Sequence, residues 1–592
     1  MSGMILLATS VLCAASAPPS APGKADLRLW AVDPLIKVFP DAEPEKGTRA
    51  EAEAARGEHA TFQLVVRSDS PFQGLTASIS PFKKRTGDGQ IEARTPRFVG
   101  YVPVDRPTQT PSKDQLRKPP ADYPDPLLDV PSLDLQPGRA QPLWITVRIS
   151  EKTNPGSYSA TLTLTGRINP PVGTSTSSIK STASTAPTIT GKANPQADPI
   201  SRSTEITLTK KLTLRVHKAV VKSCRLWVTD WFAMHWPHME INPAPESDEY
   251  YALLRRYAEN MAEHRHNVAL ISPLSLAQFS VAPDGKLAID FSRFDRWVQT
   301  FKDAGVIGRI EGGHIGGRKA DWESPFVVNV WQVKDGNPVS TTAAPSSPEA
   351  DAFYSQFFPA LVKHLREKGW LDCYLQHLAD EPIPSNIDTY RAMASLARKY
   401  APELKIMEAC HTKDLVGAMD VWVPQLNFLH DDFAHYQERQ RAGEEAWFYT
   451  CVFPQGEYAN RFIELPLIKT RLLHWINFRY GITGYLHWGY NQWTQADPFT
   501  VTTRAHPGPT YLPAGDPWIV YPGKNGPLDS IRFEAMRDGI VDHELLSQLA
   551  EKNPQKAAAL AANLILDFDK YNTDIKTFRK TRHTLLKLVS GL

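Results

Sequence analysis

The residues of this chain best placed to do chemistry are two adjacent carboxylic acids, Asp380 and Glu381. They end an apolar run, 374–378, that is typical of a β-strand, and Pro382 follows them directly. Proline disfavours helical backbone in the residue before it, so the pair is predicted to lie on a turn at the strand end. The ordinary alternative is a solvated turn that precedes a helix.

The adjacency of the two acids favours one way of breaking a glycosidic bond. Carboxyls that flank such a bond are about 5 or 6.5–9.5 Å apart, and neighbours in sequence cannot easily flank a sugar. Glu381 could instead protonate the glycosidic oxygen while Asp380 orients an acetamido group at C2, whose carbonyl oxygen attacks C1 and forms an oxazoline. Repulsion from a charged Asp380 is predicted to keep Glu381 protonated near neutrality.

The composition favours an uncharged partner. The 592 residues include 66 Lys and Arg against 64 Asp and Glu, without a long basic run, which argues against nucleic acid. The 15 Trp and 19 Tyr could stack on sugars, although they fit equally well in protein cores. A glycan or glycoconjugate is therefore the expected partner.

The first residues predict export to the periplasm or the extracellular space. Residues 4–17 are apolar and end in small residues, which is typical of a secretory signal at 1–17, although no Lys or Arg precedes Lys24. No later apolar run is long enough to span a bilayer. The cysteines beyond the signal are predicted to be buried free thiols, namely Cys224, Cys373, Cys410 and Cys451.

The apolar pattern divides the chain into several domains. Residues 25–220 carry short alternating runs that predict an antiparallel β-sandwich, with a disordered Ser-, Thr- and Pro-rich insertion at 170–203. Residues 221–545 alternate strands with amphipathic helices and predict a (β/α)8 barrel of the TIM type. Residues 546–592 predict a helical carboxy-terminal tail.

Eight barrel strands and five of the helices between them can be placed on the sequence. The strand candidates are 226–230, 267–272, 308–314, 373–380, 405–411, 421–426, 446–452 and 484–488. The helix candidates are 248–264, 294–304, 349–367, 387–400 and 465–480. In such a barrel the C-terminal strand ends meet at one face, where active sites are built.

These strand ends supply polar and aromatic candidates for substrate binding. They are His314, His411, Gln425, Tyr449, Trp488, Tyr490, Asn491 and Trp493. Each also has a structural interpretation, as a hydrogen-bonded histidine or a core aromatic residue. No catalytic metal and no other cofactor is expected, because the first strand lacks a His-x-His pair and offers Asp230 as its one carboxylate.

Four segments of the chain resemble glycoside hydrolase family 123, at 56–64, 380–382, 481–491 and 532–540. The resemblance implies a β-sandwich followed by a (β/α)8 barrel. It also implies an adjacent Asp-Glu pair that cleaves β-linked N-acetylgalactosamine with the help of the substrate's own amide. By this resemblance Glu381 is the acid and base, and Asp380 stabilises the acetamido group.

Two alternatives stay open. A retaining glycosidase for sugars without an acetamido group could use Glu408 as its nucleophile. A carbohydrate-binding protein that has lost its activity would bind glycans and hydrolyse nothing.

Near the end of the barrel, the spacing of four charged residues predicts a structural ion-pair network. They are Arg532, Glu534, Arg537 and Asp538.

Overall fold

The computed structural model describes residues 27–168, 204–235, 242–493, 496–505 and 510–591. The predicted signal at 1–17 and the predicted insertion at 170–203 lie outside these ranges. Within them the chain forms an amino-terminal β-rich domain and a carboxy-terminal domain of parallel strands and helices.

Two sheets form the amino-terminal domain. The first has the strand order Arg28–Val32, His59–Arg67, Ala140–Arg148, Arg97–Val104, Ala121–Leu128. The second has the order Ala50–Arg56, Thr204–Val220, Gly156–Ile168, Phe72–Ile79, Leu133–Leu135, and the short strands Phe82–Lys84 and Gln90–Ile91 extend it. Alternate residues of both sheets, such as Phe62 and Leu164, share one buried core, as the alternating pattern predicts.

One strand pair of this domain is parallel. Ala50–Arg56 runs in the same direction as Thr204–Val220, whereas the other pairs are antiparallel. The prediction of a wholly antiparallel sandwich is therefore wrong for this pair. The two strands are far apart in the chain, so no tight hairpin imposes an antiparallel direction on them.

The carboxy-terminal domain contains all eight predicted strands, in two parallel sheets. The larger sheet has the order Val268–Leu270, Arg309–Glu311, Tyr374–Gln376, Lys405–Cys410, Val421–Pro424, Glu445–Ala446. The smaller sheet has the order Trp227–Asp230, Gly484–His487, Phe448–Tyr449.

The two parallel sheets do not close into one continuous hydrogen-bonded barrel. The seventh predicted strand is divided at Trp447, and its two halves pair in different sheets. A few contacts connect the sheets, among them the hydrogen bond from Asn267 N–H to Val228 O at 3.3 Å and the parallel bridge between Gln425 and Tyr449. The predicted closed sheet is thus replaced by two sheets with isolated contacts at both junctions.

Helices follow most of these strands. They are Asp248–Glu263, Pro273–Leu276, Ser292–Ala304, Pro348–Lys368, Ile387–Tyr400, Leu426–Asp431, Phe433–Arg441, Leu467–Tyr480, Ile531–Lys552, Pro554–Leu564 and Ile575–Ser590, with a 3-10 turn at Leu371–Cys373. Pro348–Lys368 illustrates how the sequence sets helix ends. The Ser347 side chain accepts from Ala350 N–H at its start, and Gly369 adopts the left-handed conformation at its end.

Five small antiparallel elements were not predicted. They are the sheet Gly316–Arg318, Phe326–Lys334, Asn337–Ala343 and the hairpins Gln278–Val281 with Leu287–Asp290, Arg504–Ala505 with Tyr511–Leu512, Val520–Gly523 with Gly526–Asp529, and Ile565–Asp567 with Lys570–Tyr571. The three-stranded sheet, 316–343, begins just after the strand Arg309–Glu311. We call it the inserted sheet, because it brings Arg318 and Trp322 to the candidate site.

Buried ion pairs join the two domains. Arg532 donates to Asp125 of the amino-terminal domain at 2.8 Å, and neither side chain is exposed. Arg537 contacts Glu534 at 2.8 Å and Asp538 at 3.0 Å. Three members of the predicted network are thus paired with one another, whereas Arg532 pairs with Asp125 of the other domain instead.

Two further expectations can be compared with the described residues. None of the helices there combines the length and apolar character that a membrane span requires. All four described cysteines are free, as predicted, but only Cys410 and Cys451 are fully buried.

Candidate active site

Asp380 and Glu381 lie on a turn that follows the short strand Tyr374–Gln376. Glu381 has φ +48°, a left-handed conformation that is strained by about 1–2 kcal/mol in a residue with a side chain. Arg318 of the inserted sheet holds this turn. Its two terminal nitrogens donate to the carbonyl oxygens of Asp380 and Glu381 at 2.9 and 2.7 Å.

The Glu381 carboxylate is held by two aromatic side chains. The Tyr449 hydroxyl donates a short hydrogen bond to its Oε1, and His411 Nε2 lies 3.1 Å from the same oxygen. His411 Nε2 is also 2.7 Å from the Tyr449 hydroxyl, to which Gln425 donates at 3.2 Å. The structure thus gathers three predicted substrate-binding residues around Glu381, namely His411, Gln425 and Tyr449.

Asp380 is in a different situation, because no described side chain donates a hydrogen bond to its carboxylate. Burial and the adjacent Glu381 charge raise the pKa of Asp380 to about 6. Its carboxylate is therefore open to a hydrogen-bond donor of a ligand.

The pKa of Glu381 shifts the other way. Burial alone would raise it, but the hydrogen bonds from His411 and Tyr449 and the charge of Arg318 outweigh burial and lower the pKa. The prediction that a charged Asp380 keeps Glu381 protonated is wrong for the unliganded site. Sequence reasoning missed the donors, which come from distant strands and stabilise the charged form of Glu381.

Beneath the pair, His377 lies between two buried glutamates. Its Nδ1 is 2.7 Å from Glu408 and its Nε2 is 2.7 Å from Glu311. Burial opposes a charge on His377, but the two carboxylates prevail and raise its pKa to about 10. His377 is therefore an imidazolium that donates from both nitrogens.

Glu408 is fully engaged by protein groups. Oε1 accepts from His377 and from His314 at 3.0 Å, while Oε2 accepts from the backbone N–H groups of Leu378 and Ala379 at 2.8 and 3.0 Å. Burial is outweighed by the charges of His377 and His314, and the pKa of Glu408 falls to about 2. This carboxylate fixes the backbone just before the Asp380–Glu381 turn.

The remaining predicted binding residues divide into two groups. Trp488 is partly buried and packs on the apolar cluster that contains Tyr449. Tyr490, Asn491 and Trp493 lie in the core instead, since their side chains are almost wholly buried.

Protein groups occupy the polar atoms of these three core residues. The Tyr490 hydroxyl donates to Asn260 at 2.7 Å, Asn491 bonds the backbone of Ala233, and Trp493 Nε1 donates to Val520 O at 3.0 Å. In this arrangement they stabilise the loop after the last strand rather than present polar atoms to a sugar.

Several residues near the pair were not predicted as site residues, above all Glu311, Arg318, Trp322, His377 and Trp231. Glu311 accepts from Trp231 Nε1 at 2.6 Å and from Thr229 at 2.7 Å. Glu311 could have been found, because it lies within the predicted strand 308–314, directly before two glycines. Nothing in the local sequence distinguishes Arg318 or Trp322, because an unpredicted sheet brings them to the site.

A separate cavity of about 1140 Å³ lies between the amino-terminal sheets and the carboxy-terminal helices. Its walls include Glu53, His217, Arg471 and Arg582, and not Asp380 or Glu381. Because Asp380 and Glu381 are adjacent acids whose pKa values shift in opposite directions, the arrangement around them is the better candidate for chemistry.

Comparison with known protein families identifies the class. Residues 242–549 match the glycoside hydrolase 123 catalytic domain, and residues 37–166 match the glycoside hydrolase 123 N-terminal domain. The chain is therefore a glycoside hydrolase. It belongs to glycoside hydrolase family 123.

One solved structure has the same overall fold. A family 123 glycoside hydrolase from Clostridium perfringens, described for glycolipid glycan hydrolysis, aligns with a TM-score of 0.67 at 17% identity, over 95% of this chain and 97% of that one. A GH10 xylanase from Thermobacillus composti aligns with a TM-score of only 0.28 at 11% identity, over 48% and 94% of the two chains. No curated protein matches the chain significantly.

Proposed function

We propose that this protein is an exo-acting β-N-acetylhexosaminidase that prefers N-acetylgalactosamine and works through an oxazoline. The observation that carries the proposal is the unequal setting of two adjacent acids: Asp380 is open to a ligand donor, whereas Tyr449 and His411 hold Glu381. The preference for the galacto configuration comes from the family resemblance. A glycoconjugate substrate is supported by the description of the Clostridium perfringens relative.

Substrate binding supplies the proton arrangement that the unliganded site lacks. An acetamide N–H that donates to Asp380 stabilises the charged form of this residue. The proton shared by the pair then moves to Glu381, because the neighbouring negative charge raises the pKa of Glu381.

Bond cleavage follows in two steps. Glu381 protonates the glycosidic oxygen while the acetamide carbonyl oxygen attacks C1, so the C1–O bond breaks and the aglycone leaves as an alcohol. The oxazoline keeps its N–H proton and is a cation paired with the Asp380 carboxylate. Glu381 then accepts a proton from water, which attacks C1 and opens the oxazoline. The sugar leaves with retained configuration, and Glu381 is protonated again.

Glu408 is a poor nucleophile for the alternative retaining mechanism. Both of its oxygens accept two hydrogen bonds and its side chain is unexposed, so an attack on C1 would require it to lose these partners. This engagement favours the substrate-assisted mechanism, in which the protein supplies no nucleophile.

We also propose that catalysis needs no metal. His314, His377 and Glu408 place possible ligand atoms within 4.8 Å of one another. However, His377 donates from both nitrogens between two carboxylates, so its ring has no lone pair for a metal in this arrangement. Activity is expected to survive dialysis against a chelator.

Two further predictions from the sequence, the barrel and the export, are also proposals. The eight predicted strands follow the order of a (β/α)8 barrel without its closed hydrogen bonding, which is supported by parallel pairing within both sheets and by the contacts at their junctions. The protein is exported to the periplasm or the extracellular space, which the apolar segment at 4–17 supports.

Leaving-group kinetics test the assigned roles. On aryl β-N-acetylgalactosaminides, the Glu381→Gln and Asp380→Asn variants should each be about 100-fold or more less active than the wild type. A more acidic phenol as leaving group should restore much of the activity of Glu381→Gln, because that leaving group needs no protonation. The same phenol should restore little of the activity of Asp380→Asn.

The exposed Glu367→Gln is the matched control and should behave as wild type. Equal rescue of both variants would contradict the assigned roles. Glycan binding without any hydrolysis by the wild type would favour the inactive binding protein instead.

A further inference from the structure

Trp322 is an exposed aromatic residue that is nevertheless held firmly. It lies between the first two strands of the inserted sheet and is 44% exposed. Arg318 Nε donates to its carbonyl oxygen at 3.0 Å, and Asn386 Nδ2 approaches the same oxygen at 3.4 Å. Within the same loop, Lys319 N–H donates to Pro325 O at 3.0 Å. A large apolar ring fixed in contact with solvent is a typical feature of a binding surface.

The indole of Trp322 is continuous with the candidate active site. The Arg318 guanidinium stacks 3.8 Å from its ring centre, and the His411 ring lies 5.7 Å from it. The His411 ring is in turn 4.9 Å from the partly buried ring of Phe428. We call Trp322, His411 and Phe428 the aromatic strip.

The aromatic strip lies on the Glu381 side of the acid pair. Its middle member, His411, is 3.1 Å from Glu381 Oε1. The charged groups that act on Asp380, apart from Glu381, are His314, Glu408 and Arg318, and His314 and Glu408 belong to the network beneath the pair. Among the described residues, the contact between the aromatic strip and the acid pair runs from His411 to Glu381, so the strip is assigned to the Glu381 side.

This asymmetry sets the direction of the substrate if the proposed function holds. Asp380 meets the C2 substituent of the sugar that is cleaved, and Glu381 meets the glycosidic oxygen. The group released by cleavage must then lie beyond Glu381, where the aromatic strip begins.

We propose that the aromatic strip is the binding subsite for the leaving sugar, with Trp322 stacking on the C–H face of a pyranose. The inference rests on the proposed function and names its substrate class: a glycan or glycoconjugate in which the terminal N-acetylhexosamine is linked to another pyranose. Flat aromatic rings suit this role because they remove the apolar face of a sugar from water.

Two substrates that differ only in the leaving group test the subsite. One is a disaccharide of N-acetylgalactosamine β-linked to galactose. The other is methyl β-N-acetylgalactosaminide, whose methoxyl group also needs a proton from Glu381 but is too small to reach the strip. Trp322→Ala should lower kcat/KM for the disaccharide about 10-fold, mainly through KM, and leave kcat/KM for the methyl glycoside unchanged. Trp322→Phe should recover most of the loss.

Val339→Ala, in the same inserted sheet and 38% exposed, is the matched control and should change neither rate. An equal loss on both substrates would overturn the subsite, since Trp322 would then act through Arg318 or the acid pair. No loss on the disaccharide would overturn it as well. If the wild type hydrolysed neither acetamido substrate, the proposed function would itself fail.

Discussion

At the scale of single residues, the two acids of the pair differ because their hydrogen-bond partners differ. The Tyr449 hydroxyl donates a hydrogen bond to Glu381. Burial and the charge of Glu381 raise the pKa of Tyr449 well above its usual value, so the hydroxyl keeps its proton. Asp380 receives no such donor from a described side chain. Below about pH 6 the pair therefore holds one proton between two unequal sites, and the ligand can change which site carries it.

The shared proton gives a prediction for pH dependence. The pKa of Asp380 is raised to about 6, so the pair loses its last proton as the pH rises through about 6, and kcat/KM should fall there. In Asp380→Asn the like charge is absent and only the lowered pKa of Glu381 remains, so the alkaline limb should move below the usual glutamate range. Profiles of kcat/KM against pH for a substrate with an unactivated leaving group measure the alkaline limb of the wild type and that of Asp380→Asn. An alkaline limb that stays at the same pH in Asp380→Asn would contradict this assignment.

At the scale of structural elements, the inserted sheet controls the backbone of the catalytic turn. Arg318 bonds both carbonyl oxygens of the pair while Glu381 holds φ +48°. An unsupported left-handed glutamate would relax toward the ordinary region of backbone space, and its carboxyl would move away from the substrate.

Loss of this support is expected to reduce turnover more than binding. Arg318→Ala should lower kcat about 100-fold with a smaller change in KM, because a misplacement of about 1 Å has effects of this size. Arg318→Lys should recover part of the loss, since it can donate to one carbonyl oxygen. Steady-state kinetics would show this, with the exposed Arg255→Ala as control. A loss confined to KM would mean that Arg318 binds substrate instead of positioning the acids.

The same scale explains what the sequence could predict. All eight parallel strands and five long helices agree with the apolar periodicity, because burial of one face imposes that periodicity directly. The acid pair and its turn followed from Pro382. Tyr490, Asn491 and Trp493 were misplaced because a loop after the last strand turns into the core, and periodicity does not report the direction of a loop.

Other features depended on contacts between distant segments. Tyr449 and His411 could be predicted as site residues from their strand ends, but not as the donors that lower the pKa of Glu381. Arg318 and Trp322 could not be predicted, since Arg318 lies on a strand of only three residues that begins with two glycines, and Trp322 lies in the loop after it. The division of the seventh strand at Trp447 likewise depends on which neighbours compete for its backbone.

At the scale of the whole molecule, the amino-terminal domain is part of the structural support of the barrel-like domain. Asp125 binds Arg532, and Glu58 binds Arg582 of the last helix at 2.7 Å. These pairs are almost unexposed, so each charge depends on its partner for stabilisation. The two domains should therefore unfold together.

Breaking one of these pairs tests that coupling. Asp125→Asn leaves the buried Arg532 guanidinium without its counter-charge and should reduce the free energy of unfolding by about 3–5 kcal/mol. Denaturant unfolding should show one transition at a lower midpoint. The exposed pair of Arg255 with Glu259 is the control, and Glu259→Gln should change the free energy by less than about 1 kcal/mol. Equal stability of the two variants would contradict a structural role for the Asp125–Arg532 pair.

The central claim is that the acetamido group of the substrate attacks C1 while Asp380 and Glu381 assist it. The most direct measurement is kcat for aryl N-acetylgalactosaminides whose acetyl methyl carries zero, one, two or three fluorine atoms. Each fluorine withdraws electrons from the carbonyl oxygen, so substrate assistance predicts a steep, stepwise fall in kcat, with no turnover of the matching galactoside. A kcat that is independent of fluorine number, or rapid cleavage of the plain galactoside, would contradict it.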